Sequence, residues 1–204
     1  MQRRHRHRPG VTAMALLLTC LLAWPAGGYA QSTVTGQASA VQATVFGLLG
    51  LATTQGLAQT GTLSGSTDAR DASVLTGSIS SLLSAQTLSA STIGYPNEVD
   101  SEASLSNVAL TVAGVTISAS SIMAQATQVA GTAGTGVSTI SGLAVNGVPI
   151  NVLGSPNQTV SIVGGQIIIN QQTVTSTGAL VVNALHVIIP GVVDVVIASA
   201  TAGA

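Results

Sequence analysis

Apolar and polar residues alternate along many short segments rich in Val, Ile, Thr and Ala, and Gly, Asn-Gly or Pro-Gly separates these segments. A period of two is the pattern of strands that bury one face, because successive side chains of a strand point to opposite sides. Helical periodicity is nearly absent. The pattern therefore predicts an all-β fold.

Four pairs of these segments are close enough in sequence to form β-hairpins. The clearest is 143–150, where Asn146-Gly147 supplies the two positive φ angles of a type I′ turn between apolar flanks. The other predicted turns are Gly164-Gly165 between 160–163 and 166–169, Pro190-Gly191 between 185–189 and 192–197, and Ala113-Gly114 between 110–112 and 115–117.

A loose internal repeat underlies this pattern. Similar segments begin near Ala40, Ala72, Ala103 and Val137, at intervals of 31 to 34 residues, which suits stacked supersecondary units. We expect weak repeats over 31–136 and a C-terminal hairpin region over 137–204. The predicted architecture is an antiparallel β-sandwich or β-roll built from repeated hairpin units, with a β-solenoid as the alternative.

Residues 1–30 have the features of a secretory signal peptide. Four arginines precede an apolar run at 11–24. Gly28 and Ala30 place small residues at positions −3 and −1 of a signal-peptidase site, so cleavage is predicted between Ala30 and Gln31. The run is shorter than the about 20 residues that span a bilayer, which disfavours a transmembrane anchor. A lipoprotein anchored at Cys20 is the other alternative, but the apolar run continues past this cysteine.

The predicted mature module, 31–204, has a strongly biased composition. One arginine stands against six carboxylates, a formal net charge of −5 with histidine neutral, so nucleic-acid binding is excluded because phosphate contacts need clustered Lys and Arg. The module has no cysteine and therefore no disulfide. Its stability must come from aliphatic burial and backbone hydrogen bonds.

His186 and Asp194 are the strongest candidates for chemistry. They flank the predicted Pro190-Gly191 turn, so their side chains are expected to be neighbours across a strand pair. A Ser/His/Asp triad would also need an activated serine, and no Gly-x-Ser-x-Gly segment precedes a helix. We therefore expect a structural histidine and no enzymatic activity.

Two acidic clusters are weak candidates for calcium. Their carboxylates fall in presumed loops between repeat units, where oxygen-rich loops can hold Ca²⁺, but neither cluster matches an EF-hand. Solvated turns are the default interpretation, with Arg70 paired to one of the acids. Transition-metal sites need His or Cys clusters, so no cofactor is expected. The five candidates are Asp68, Asp71, Glu98, Asp100 and Glu102.

The second half of the chain carries a family resemblance. Its segments are LAVNG at 143–147, PNQTV at 156–160, NQQ at 170–172, VNALHV at 182–187 and DVVIASA at 194–200. In this order they resemble the choice-of-anchor P family of bacterial surface proteins, with the Ser/Ala-rich first half also similar. The resemblance implies an exported protein without an established activity, which different lineages attach through different C-terminal sorting tails. No such tail precedes Ala204, so release or non-covalent retention is expected.

These observations favour a non-catalytic secreted or cell-surface structural protein. One alternative is a self-assembling extracellular fibre or matrix subunit, suggested by the apolar segments 166–170 and 185–197 and by the few charges available to guard strand edges. A ligand-binding or adhesive module is the other alternative. Expected partners are further copies of the chain or components of the cell envelope or matrix.

Overall fold

A computed structural model describes residues 33–47 and 51–204. The predicted signal peptide, with its cleavage point between Ala30 and Gln31, lies outside these residues. The described part contains 13 strands and no helix. Accordingly, no helix there is long and apolar enough to cross a membrane.

Two antiparallel sheets form a β-sandwich, which confirms the predicted all-β fold. Sheet A has six strands in the order β10-β11-β12-β13-β1-β2, and sheet B has seven, in the order β3-β4-β5-β6-β8-β9 with β7 also paired to β6. The strands of sheet A are β1 (Thr35–Phe46), β2 (Ala52–Gln59), β10 (Gln158–Ile162), β11 (Gly165–Val174), β12 (Leu180–Ile189) and β13 (Val193–Gly203). Those of sheet B are β3 (Ala69–Ile79), β4 (Leu83–Tyr95), β5 (Glu98–Val112), β6 (Val115–Val129), β7 (Thr135–Ser141), β8 (Ala144–Val145) and β9 (Val148–Pro149).

The weak sequence repeat corresponds to hairpins. Each of the four repeat starts lies in an odd-numbered strand, β1, β3, β5 or β7, and the first three units each supply one antiparallel hairpin. The units are divided between two sheets that pack face to face, so the β-solenoid alternative is set aside.

Residues that accept positive φ angles form the tight turns of the hairpins. Ala113-Gly114 and Asn146-Gly147 have φ of +48°, +79°, +50° and +75°, as type I′ turns require. Two predicted turns were wrong in detail. The β10–β11 turn is Val163-Gly164, since Ile162 pairs with Gly165. The β12–β13 turn contains three residues, because Ile189 pairs with Val193 and leaves Val192 in the turn with Pro190-Gly191.

The core between the sheets is aliphatic. β13 and β1 of sheet A pack on β4, β5 and β6 of sheet B, and alternate residues of these strands are buried. At about 25 cal/mol per Å² of apolar area removed from water, this burial is the main favourable contribution to folding. The largest fully buried side chains include Leu88, Leu110, Ile117, Ile122, Ile169, Leu185 and Ile197.

A transverse crease crosses sheet A, and it reverses the alternation of buried and exposed residues. Along β12, Val182 and Ala184 are buried before the crease, whereas Leu185 and Val187 are buried after it. In five of the six strands the pairing skips one residue, which stands opposite the skipped residue of the neighbouring strand, so the register does not shift. Three of these five residues have positive φ. The crease consists of Ala58, Ala40, Ala198, Ala184 and Asn170. Four of its five residues are alanine, whose small side chains suit a buried bend.

Candidate functional site

His186 lies on the outer face of sheet A, between two oxygen atoms. Its side chain, on the central part of β12, is 13% exposed. Ring Nε2 is 2.8 Å from Asp194 Oδ1 of β13, and Nδ1 is 2.8 Å from Gln171 Oε1 of β11. The predicted proximity of His186 and Asp194 is confirmed. The pair is diagonal, because the three-residue turn aligns His186 with Val196.

A chain of side-chain hydrogen bonds continues from this histidine. Asn183 Nδ2 donates to Gln171 Oε1 at 2.9 Å, and the Ser199 hydroxyl donates to Asn183 Oδ1 at 2.7 Å. Gln171, Asn183 and Ser199 are direct cross-strand partners on β11, β12 and β13. We call the five residues from Asp194 through His186, Gln171 and Asn183 to Ser199 the polar chain.

The crease assembles the polar chain. Asn183 and His186 are three positions apart, so regular alternation would place them on opposite faces of β12. Because the alternation reverses at Ala184, Asn183 and His186 both lie on the outer face of β12. The reversal at Asn170 likewise places Ile168 and Gln171 on the same outer face of β11. Sequence reasoning missed Gln171, Asn183 and Ser199 for this reason. The VNALHV segment and the NQQ segment contained the polar residues but not the change of face.

The geometry of His186 differs from that of a catalytic triad. In such a triad one ring nitrogen faces a carboxylate and the other faces a nucleophilic hydroxyl. Here Asp194 occupies Nε2 and an amide oxygen occupies Nδ1, while the Ser199 hydroxyl bonds to Asn183 instead. The arrangement joins three strands and presents no hydroxyl to the imidazole.

Asp68 organises the loop that leads into β3. Its Oδ2 accepts hydrogen bonds of 2.8 Å from the Ser64 backbone N–H, from Arg70 Nε and from the Ser64 hydroxyl. These bonds, the Ser64 N–H first and Arg70 next, hold the pKa of Asp68 well below its usual range. The expected pairing of Arg70 with a neighbouring acid is confirmed.

The other calcium candidates do not occupy loops, which corrects the prediction. Asp71 lies in β3, and Glu98, Asp100 and Glu102 lie in β5, where Val99, Ser101 and Ala103 between them point into the core. Thr127 donates to Asp100 and Gln125 donates to Glu102, both at 2.7 Å from the adjacent β6. In residues 33–47 and 51–204, no three His, Cys, Asp or Glu side chains are grouped as metal ligands.

An apolar cavity of about 560 Å³ opens at the end of the sandwich that carries the β1–β2, β3–β4 and β5–β6 turns. Val45, Leu51, Ile79, Leu82 and Val112 contribute to its walls, and its described lining carries no charge. Gly47 and Leu51 also line it, and they flank residues 48–50, which are outside the described part of the chain.

No protein-family model, no curated protein and no solved structure matches this chain. The resemblance to the choice-of-anchor P family therefore stays a prediction from the residues that carry it.

Proposed function

We propose that this protein is an exported, non-catalytic structural component of the cell surface or the extracellular matrix. The observation that carries the proposal is the nearly uncharged outer surface of sheet A. Among its six strands only His186 and Asp194 can ionise, and they are bonded to each other.

The outer face of sheet A suits a structural role because it holds water through hydroxyls and amides. Thr44 and Thr54 share a 2.9 Å hydrogen bond across β1 and β2, and the polar chain joins β11, β12 and β13 in the same way. Such cross-strand pairs contribute roughly 0.2–1 kcal/mol each. The signal-peptide features of 1–30 and the resemblance to exported surface proteins support the same role.

Activity assays on the mature chain, residues 31–204, test the absence of catalysis, and proteolysis tests the expected resistance of a structural protein. A panel of ester, peptide and glycoside substrates is expected to give no turnover above buffer. His186→Ala serves as the control, because turnover that disappears in this variant would overturn the proposal. Proteolysis is expected to be slow, since most backbone hydrogen bonds belong to the two sheets.

Self-assembly is a second candidate function, and exposed strand edges favour it. β12 and β13, which suggested assembly from the sequence, are interior strands paired on both sides and are unavailable for further pairing. The edge strand β3 pairs only with β4, and on β3 the Leu75 side chain is 77% exposed beside the partly exposed Val74. Arg70 and Asp71 lie near the start of β3, and the rest of the strand, from Ala72 to Ile79, carries no charge. An uncharged edge segment with an exposed leucine can pair with a second copy.

Electron microscopy of the concentrated mature protein tests this second function. Wild type is expected to form fibres, and Leu75→Lys is expected to abolish them because it places a charge on the edge. Leu153→Lys is the matched control, since Leu153 is 65% exposed in a loop and the variant should still assemble. Monodisperse wild-type particles would exclude assembly through this edge.

A further inference from the structure

The hydrogen bonds of the polar chain depend on the protonation state of His186. Asp194 Oδ1 and Gln171 Oε1 each lie 2.8 Å from a ring nitrogen and can only accept, so this orientation of the Gln171 amide is complete when both ring nitrogens carry a proton. Gln171 Oε1 is held in this orientation because Asn183 Nδ2 also donates to it. Asn183 Oδ1 in turn accepts the Ser199 hydroxyl.

The same five residues have a second complete arrangement, in which His186 is neutral. If Nδ1 gives its proton to bulk water, it becomes an acceptor that faces an oxygen, which is repulsive. Rotation of the Gln171 amide by half a turn brings its NH₂ group to Nδ1. The Asn183 amide must then rotate as well, so that its oxygen accepts from Gln171 and its NH₂ group donates to Ser199. Nε2–H still donates to Asp194.

We propose that His186 is a proton switch that sets the direction of the polar chain and thereby the role of the Ser199 hydroxyl. In the imidazolium state this hydroxyl donates inward to Asn183. In the neutral state it accepts from Asn183, and its own proton is free for an external acceptor. Ser199 lines a groove of about 240 Å³ with Gln37, Ser39, Gln42 and Gln59, all uncharged. The switch changes the hydrogen-bond pattern that this groove offers to a neutral polar ligand.

Few charged groups surround the switch. β11 contributes no ionisable residue, and β13 contributes Asp194 alone. β6 and β7, which pack against the inner side of β12, contribute none. Protonation of His186 is therefore coupled to Asp194 and to the orientation of two amides. The inference concerns the chemistry of the groove and does not depend on the proposed structural function.

Nuclear magnetic resonance of the ¹⁵N-labelled mature protein tests the switch between roughly pH 5 and 9, the range in which histidine charge changes. We expect the His186 ring to pass from two protonated nitrogens to one, with Nε2 retaining its proton. The side-chain NH₂ signals of Gln171 and Asn183 should shift over the same pH interval. Amide signals that stay constant while His186 titrates, or a His186 ring that never changes state, would overturn the proposal.

A variant sharpens this test. Gln171→Glu replaces the rotatable amide with a carboxylate that can only accept, so the Asn183 NH₂ signal is expected to stop shifting with pH. Gln55→Glu adds the same charge at an exposed position of β2, three strands away from β12, and is expected to leave the pH-dependent shift of the Asn183 signal as in wild type. Equal effects of the two variants would contradict the proposal. If Gln171→Glu does not fold, the pH dependence of the Gln171 and Asn183 NH₂ signals in the wild-type protein decides whether the proposal holds.

Discussion

Ser101 on β5 provides a buried polar link between the two sheets. Its hydroxyl donates to the Thr201 carbonyl of β13 at 2.7 Å, and it accepts from Thr92 of β4 at 2.7 Å. Thr92 and Ser101 are 0% and 4% exposed, so no solvent replaces these bonds if one partner is removed. Buried hydroxyls of this kind are stabilising only as a complete set.

Ser101→Ala is therefore expected to destabilise the fold by about 1–3 kcal/mol, because the Thr92 hydroxyl and the Thr201 carbonyl lose their shared partner. Urea unfolding of the mature protein measures this difference. Ser104→Ala, a partly exposed serine on the same strand, is the control and should cost much less. Similar losses in both variants would show that the link between the sheets contributes little.

Asp68 is expected to make the stability of the loop before β3 depend on pH. Its pKa is lower in the folded than in the unfolded chain, so its carboxylate stabilises the fold above the unfolded value of about 3.9. This contribution is lost as the pH falls through the folded-state pKa. Asp68→Asn should lower the melting temperature at neutral pH, and the difference from wild type should shrink in acid.

Thermal unfolding followed by circular dichroism at several pH values checks this expectation. Asp71→Asn removes the same charge from an exposed position of β3 and serves as the control. A loss for Asp68→Asn that is constant from neutral pH into strong acid would mean that the carboxylate charge is not what stabilises the loop.

The crease is the feature of the strands that most affects both packing and the candidate site. Ala198 on β13 has φ of +54°, although a left-handed conformation costs a residue with a Cβ roughly 1–2 kcal/mol. The skipped residues of neighbouring strands stand opposite one another, so the bend continues across five strands of the sheet.

Ala198→Gly relieves this backbone strain, which offsets the entropy that glycine loses on folding. Ala200→Gly is the matched control, since Ala200 is equally buried on the same strand without a positive φ. We expect Ala198→Gly to be more stable than Ala200→Gly by about 1 kcal/mol in urea unfolding. The opposite order would contradict the strained geometry assigned to the crease.

The alternating strands and two of the four predicted turns could be located from local sequence, but the crease could not. Alternation and the Ala113-Gly114 and Asn146-Gly147 pairs are local signals, and the structure confirms them. Ala40 and Val41 are consecutive buried residues, and nothing in an alanine identifies a change of face. The acidic residues of β5 suggested a loop because the inward positions between them include small Ser101 and Ala103. Gln171 reaches His186 only through non-local strand pairing.

At the scale of the whole molecule, residues 33–47 and 51–204 contain no cysteine and therefore no disulfide. The stability of the sandwich depends on the burial of aliphatic side chains. Val, Ile, Leu and Ala supply nearly all of the buried core, and the outer faces carry hydroxyl and amide groups with few charges. Composition and alternation predicted the all-β fold class correctly, because each sheet buries one of its two faces. They did not predict the order of the strands in the two sheets, because that order depends on pairing between segments far apart in the sequence.

The proposed role requires that the folded module is found outside the cytoplasm without its leader. Cell fractionation followed by mass spectrometry of the N-terminus tests this claim most directly. We expect the protein in the surface or extracellular fraction, with Gln31 as its first residue. Recovery of the full-length chain, beginning at Met1, from the cytosol would contradict the account.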